Sequence, residues 1–111
     1  MKISVINILN SSNASLHDDG IRIYNAVKSN FDFSKNEEFE IDFSEVKRCS
    51  TLFLNASFGK LLADFGEDTV KKLIHPTSYA QILNFTNKYS DMWDNFVNRD
   101  NYQAYREEAL A

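Results

Sequence analysis

The side chains able to do chemistry in this sequence are few and scattered: His17, His75, Cys49, the hydroxyls of Ser50 and Thr51, and carboxylates around Asp42 and Glu45. Neither histidine stands at a metal-ligand spacing from the single cysteine. The three glycines, at 20, 59 and 66, are too dispersed for a loop that cradles phosphates. Asp42 and Glu45 lie close in sequence, but a strand end does not hold both on one face, and no nucleophile accompanies them. Glu40 and Asp42 read instead as the polar side of a half-buried strand. No acid, base and nucleophile converge, so the expectation is a protein that is not an enzyme, with no catalytic residue, metal site or cofactor.

What remains is the joint at Cys49-Ser50-Thr51. Helix amides point outward at such a start, and a negative group is stabilised there. Ser50 or Thr51 as a capping residue satisfies one of those amides, worth about 1 kcal/mol. The same hydroxyls are candidate phosphate acceptors. A phosphoryl group would bring about −1.5 to −2 charges to the positive end of the helix. Lys47 and Arg48, just upstream, are placed to hold it. Cys49 reads as a small buried residue.

The joint is positioned by a strand and a long helix. Phe39, Ile41 and Phe43 alternate with Glu40, Asp42 and Ser44, the period of a strand. Leu54, Phe58, Leu61, Leu62 and Phe65 follow the period of a helix. Beside that stripe runs a line of smaller residues, Leu52, Ala56, Gly59 and Ala63, which permits another element to approach closely. A helix apolar nearly all round is buried or meets a partner.

Elsewhere, Ile3 to Leu9 is apolar on both parities and predicts a central strand covered on both faces. Asn10-Ser11-Ser12-Asn13 predicts a loop. Asp18-Asp19-Gly20 opens a helix that carries Ile23, Ala26, Val27 and Phe31. Gly66 is expected to end the long helix in a left-handed conformation. A short strand is predicted around Lys72 to His75, closed by Pro76. Ser78 with Gln81 matches a capping box for a helix carrying Tyr79, Ile82, Leu83 and Phe85. Ser90-Asp91 starts a last helix with Trp93, broken near Asn98–Asn101. The order β-α-β-α-β-α-α implies an α/β fold. It is a small, mostly parallel β-sheet with helices packed on it and an extra C-terminal helix. Three strands leave room for a further one near residues 31–35, or for a partner strand across a homodimer.

The chain has 111 residues, 43% of them apolar, with nine Phe and five Tyr, which is enough for one real core. A net charge of −4 argues against nucleic acid as the main partner. Lys47-Arg48 and Lys71-Lys72 read as pairs rather than a patch. One cysteine forms no internal disulfide, and no stretch reaches signal-peptide or membrane-span length, so a cytoplasmic protein without a membrane partner is expected.

The residues around the joint resemble a STAS domain, and more closely the STAS-like domain of unknown function of bacteria and their mobile elements. The shared pattern is Ile41-Asp42-Phe43-Ser44-Glu45-Val46, then Cys49-Ser50-Thr51-Leu52-Phe53, then Phe58-Gly59-Lys60-Leu61-Leu62, with Asp18-Asp19-Gly20 before the first helix. The resemblance covers about residues 1–85 and implies a single STAS-like domain over 1–111, with a C-terminal helical extension over about 90–111. It departs from the anti-sigma-factor antagonists, which carry Asp-Ser-Ser-Gly where this chain has Ser50-Thr51-Leu52-Phe53. Their phosphorylated serine falls on Thr51 or on Leu52, depending on the alignment.

The resemblance implies a regulatory interaction module whose partner is a histidine-kinase-like ATPase or another signalling protein. Contact is expected through Asp42, Ser44, Lys47, Arg48, Phe53 and Asn55, with Ser50 or Thr51 as the switch. Alternatives are a small ligand or nucleotide sensor, and a component of a toxin–antitoxin or phage-defence system.

Overall fold

The computed structural model describes residues 1–32 and 36–110, with 98–110 described by their backbone alone. The chain is α/β. Three short strands, β1 (Lys2–Ser4), β3 (Phe39–Asp42) and β5 (Ile74–Thr77), form a parallel sheet in the order β1-β3-β5. A second, two-stranded parallel sheet pairs β2 (Asn13–Ala14) with β4 (Arg48–Cys49). The place near residues 31–35 where a further strand was expected lies partly outside the described residues, and Phe31 and Asp32 are not in a strand.

Register explains why the main sheet has two unlike faces. Ile3, Ile41 and Pro76 stand side by side, flanked by the pair Phe39 and Ile74. The alternate rows are Lys2, Glu40 and His75, then Ser4, Asp42 and Thr77. Period-two alternation thus sends apolar side chains to one side and polar ones to the other. Pro76 offers no amide, and it sits on the edge strand where that omission is tolerated.

The predicted strand over Ile3 to Leu9 is corrected. Only Lys2–Ser4 is extended; Val5–Leu9 is a short helix, α1. Ser4 caps it, its hydroxyl accepting from the Asn7 amide at 3.4 Å, and Val5 and Leu9 are its buried pair. An i, i+4 pair hidden inside a run apolar on both parities is indistinguishable from a buried strand by periodicity alone.

Helix α2 (His17–Asn30) buries Ile23, Tyr24 and Val27. The long helix runs over residues 51–65 in three parts: α3 (Thr51–Leu54), a π-helical turn (Asn55–Gly59) and α4 (Lys60–Phe65). Ser57 is buried within the wide turn, and its hydroxyl donates to the Phe53 carbonyl at 2.8 Å. Such back-bonding competes with the regular ladder. The middle of the small-residue line packs inside the protein, Ala56 against Gly20 of α2 and Gly59 against the Phe96 ring, while its ends, Leu52 and Ala63, are exposed.

Gly66 has the positive φ its position predicts (φ 88°), but its ψ of 158° is extended rather than left-handed helical. It closes the 51–65 helix and opens an unforeseen one, α5 (Glu67–Leu73), with its carbonyl accepting from the Val70 amide at 3.2 Å. The capping box at Ser78 and Gln81 is also corrected. Ser78 has φ 56°, residues 78–84 form bends and turns rather than a helix, and the Gln81 side-chain amide donates instead to the carbonyls of Phe43 (2.8 Å) and Val46 (3.0 Å).

The last two predicted helices are one, α6 (Phe85–Leu110), whose backbone is unbroken through Asn98–Asn101. It is part of the core: Phe85 and Met92 are buried, and Tyr89 meets Phe58 edge-on at 5.1 Å. Among the described residues, no helix is long and apolar enough to cross a membrane.

Candidate functional site

Strand β4 delivers the chain to Ser50 through backbone bonds that hold it beside β2. The Lys47 amide donates to the Ser12 carbonyl at 2.8 Å, and the Ser50 amide to the Ala14 carbonyl at 3.0 Å. Ser50 then caps the 51–65 helix, as its residue type predicts. Its Oγ accepts from the Phe53 amide at 3.0 Å and donates to the Ser15 carbonyl at 2.8 Å. Both functions of that half-buried hydroxyl are occupied. Thr51, one residue on, is exposed, and its hydroxyl has no hydrogen bond among the described residues. The two candidate acceptors therefore differ sharply in access.

A groove of about 570 Å³ opens beside this helix start, lined in part by Asn13, Lys47, Arg48, Ser50, Leu83 and Lys88. It carries three cations and no carboxylate, on a chain whose net charge is −4. The reading of Lys47-Arg48 as a mere pair is corrected, because Lys88 joins them across the groove. The Lys88 ammonium donates to the Cys49 carbonyl at 3.0 Å, 39 residues away in sequence. Cys49 belongs to β4, and burial pushes its thiol up to about 12 despite the nearby Lys88. It is thus a neutral packing residue.

The other expected contact residues divide. Asn55 is exposed on the same helix. Phe53 is corrected: it is fully buried, meeting Phe43 edge-on at 6.3 Å, so it supports the surface from beneath rather than facing a partner. Asp42 and Ser44 do not line the groove. The Asp42 carboxylate accepts from the Ser44 amide at 3.0 Å and the Ser44 hydroxyl at 2.6 Å, and lies 3.4 Å from Lys2. They close a turn.

Burial pulls the Asp42 carboxyl upward, but the Ser44 hydroxyl and amide and the Lys2 ammonium outweigh it and hold the group below its ordinary range. A carboxyl depressed on folding contributes stability above its unfolded value, near pH 4, and loses it as pH falls through the folded one. Asp42→Asn is therefore expected to cost about 2 kcal/mol at pH 7 and much less at pH 2. Urea melts at both pH values check this; an equal loss at both would show that the folded carboxyl is not depressed.

The histidines keep apart from the groove. His17 lies 3.8 Å from the adjacent Asp18, and the His75 ring is 2.9 Å from the Lys72 carbonyl. Among the described residues, no group of three or more His, Cys, Asp and Glu side chains is placed to hold a metal ion.

Apolar side chains complete the surface. Leu83, 79% exposed, lines the groove; Leu52, 51% exposed, follows Thr51; Leu16, 63% exposed, follows the Ser15 whose carbonyl holds Ser50. Sequence reasoning placed Leu83 among the apolar residues of a helix and left Leu16 and Lys88 aside. No local signal marks Lys88, and the turn at 78–84 is what turns Leu83 outward.

Residues 19–81, more than half of the chain, match the family described as a STAS-like domain of unknown function. No curated protein and no solved structure matches the chain. The matched residues span α2, the β3 to β4 turn, the 51–65 helix and β5.

Proposed function

This chain belongs to the family of STAS-like domains of unknown function, and on that premise we propose that it is a regulatory protein-interaction module that acts by binding rather than by turnover. Its docking surface surrounds the start of the 51–65 helix. One observation carries this reading. Among the described residues four large apolar side chains are exposed, and three belong to this part of the chain: Leu83 lines the carboxylate-free basic groove, Leu16 follows its lining residue Ser15, and Leu52 lies two residues past its lining residue Ser50.

Apolar anchors ringed by polar and charged groups are the anatomy of a protein interface. The partner that complements this surface presents apolar side chains flanked by acidic ones. Likeness to the anti-sigma-factor antagonists favours a histidine-kinase-like ATPase or another signalling protein as that partner. Thr51 is the better switch residue. A phosphoryl group there projects from the exposed first turn, near Lys47 and Arg48, and blocks a docked partner without disturbing the Ser50 cap.

Site-specific photo-crosslinking tests the reading. A crosslinking residue at 52 and another at 83 are expected to capture one and the same protein in cells of origin, and a third at exposed Glu38 is not. Leu52→Asp and Leu83→Asp are each expected to weaken that complex by about 10–100-fold while the thermal melt is unchanged. Capture from position 38 alone, or affinity untouched by both variants, would move the interface elsewhere. Thr51→Asp then reads the switch: loss of binding supports it, and unchanged binding removes it while leaving the interface.

A further inference from the structure

A second concavity, of about 390 Å³, lies between β5 and the start of α6 and shares no lining residue with the basic groove. Its size falls at the lower end of the about 300–1,000 Å³ usual for small-molecule sites. Tyr79, Phe85, Tyr89 and Trp93 supply its aromatic lining, and Lys71 and His75 stand at its polar side.

The rings are fixed before any ligand arrives. Phe85 stacks on Tyr79 at 4.5 Å and on Tyr89 at 5.9 Å, and Tyr89 leads on to Trp93 at 6.1 Å. Core rings pin this ladder from behind: Phe43 meets Phe85 edge-on at 5.0 Å, and Phe58 meets Tyr89 at 5.1 Å. Yet Tyr79, Tyr89 and Trp93 remain half-buried, which leaves ring surface open to the cavity. A rigid aromatic wall lowers the ordering cost of binding a flat molecule.

Charge selects among flat molecules. No carboxylate is among the lining residues; Glu67, which accepts from the Trp93 indole at 3.4 Å, and Glu38, 3.9 Å from His75, stand outside it. The His75 ring is also held by the Lys72 carbonyl. Lys71 is the one full charge on the lining, exposed and without an ion pair among the described residues. Burial, then the neighbouring Tyr79, raises the Tyr89 hydroxyl well above the ordinary phenol range, so it stays protonated and able to donate. Phe85, Tyr89 and Trp93 lie beyond the family-matched residues 19–81, so the pocket is completed by a part of this chain outside that match.

We infer that this pocket binds a planar aromatic monoanion of one or two fused rings, its ring against the Tyr79–Phe85–Tyr89–Trp93 wall and its charge on Lys71. Trp93 is the only tryptophan, so the full chain labelled with 5-fluorotryptophan gives one fluorine signal inside the site. Titration with 2-naphthoate is expected to shift that signal saturably, with Kd below about 1 mM. The neutral 2-naphthylmethanol is expected to bind about tenfold more weakly, and Lys71→Gln, which removes the charge from an exposed side chain and keeps it polar, to bring the two within about twofold. No saturable shift with either probe would overturn the site. Equal affinity for both in the parent protein, or a preference that survives Lys71→Gln, would overturn the assignment of the charge.

Discussion

Replacing Ser50 by Ala is expected to destabilise the fold by about 2 kcal/mol, whereas Thr51→Ala leaves stability within about 0.5 kcal/mol of the parent. The residues are neighbours of similar chemistry, so the contrast isolates what the structure adds. Ser50 satisfies two backbone groups at once, the Phe53 amide of its own helix and the Ser15 carbonyl 35 residues away. Loss of the cap accounts for about 1 kcal/mol. The Ser15 carbonyl, half-buried, loses its donor and adds a comparable amount.

Ser50→Asp separates the two contributions. A carboxylate is a good capping acceptor at a helix start, but it has no proton to give the Ser15 carbonyl. Its melting point should therefore fall between those of the parent and Ser50→Ala. Chemical denaturation of the four proteins reads this directly. A neutral Ser50→Ala would mean that the hydroxyl is free, and Ser50 would return as an acceptor equal to Thr51.

Gly20→Ala is expected to be as damaging, against the helix propensity of the two residues. Alanine is favoured over glycine inside a helix by about 1 kcal/mol. Here a Cβ would lie 2.6 Å from the Ala56 Cβ and 2.6 Å from the Phe53 carbonyl oxygen. Neither is the loose end of a flexible side chain, so α2 must retreat from the 51–65 helix, opening the contact that the small residues create. Overpacking of this kind costs about 1–3 kcal/mol; two unyielding atoms at 2.6 Å put it at the upper end, about 3 kcal/mol, so after the helix-propensity gain of about 1 kcal/mol we expect a net loss of about 2 kcal/mol, or roughly 10 °C in Tm.

Gly59→Ala provides the control. Its Cβ would meet the ring of Phe96, a partly exposed side chain able to swing aside, so the loss should be less than half as large. Differential scanning calorimetry of both variants checks the order. A stabilised Gly20→Ala would mean that propensity prevails and that the two helices approach less closely than 2.6 Å requires.

Both contrasts show how far local reading reaches. The capping role of Ser50 is written in its residue type and in the apolar period that follows it. That its hydroxyl is also sealed against Ser15, leaving Thr51 as the open one, depends on β2 lying beside β4. Two strands of two residues each have too few positions to display a period, so nothing in the sequence marks them. Helix α5 was hidden for a related reason: Glu67–Leu73 is barely two turns long and buries only Val70 and Leu73.

The alternation at 39–43, the helical stripe at 54–65, the acidic start of α2 and the positive φ of Gly66 were legible in the amino-acid order alone. So was the resemblance that the family match over residues 19–81 bears out. Periodicity, capping and glycine's freedom at positive φ act over a few residues, and backbone geometry imposes them wherever the chain lies. Tertiary structure alone decided that Phe53 faces the core, that Lys88 crosses to Cys49, that Leu83 turns outward, and that Tyr79 meets Phe85, Tyr89 and Trp93 around one cavity. These outcomes arise where elements distant in sequence pack together, because burial and charge convergence are properties of the space between elements rather than of any one of them.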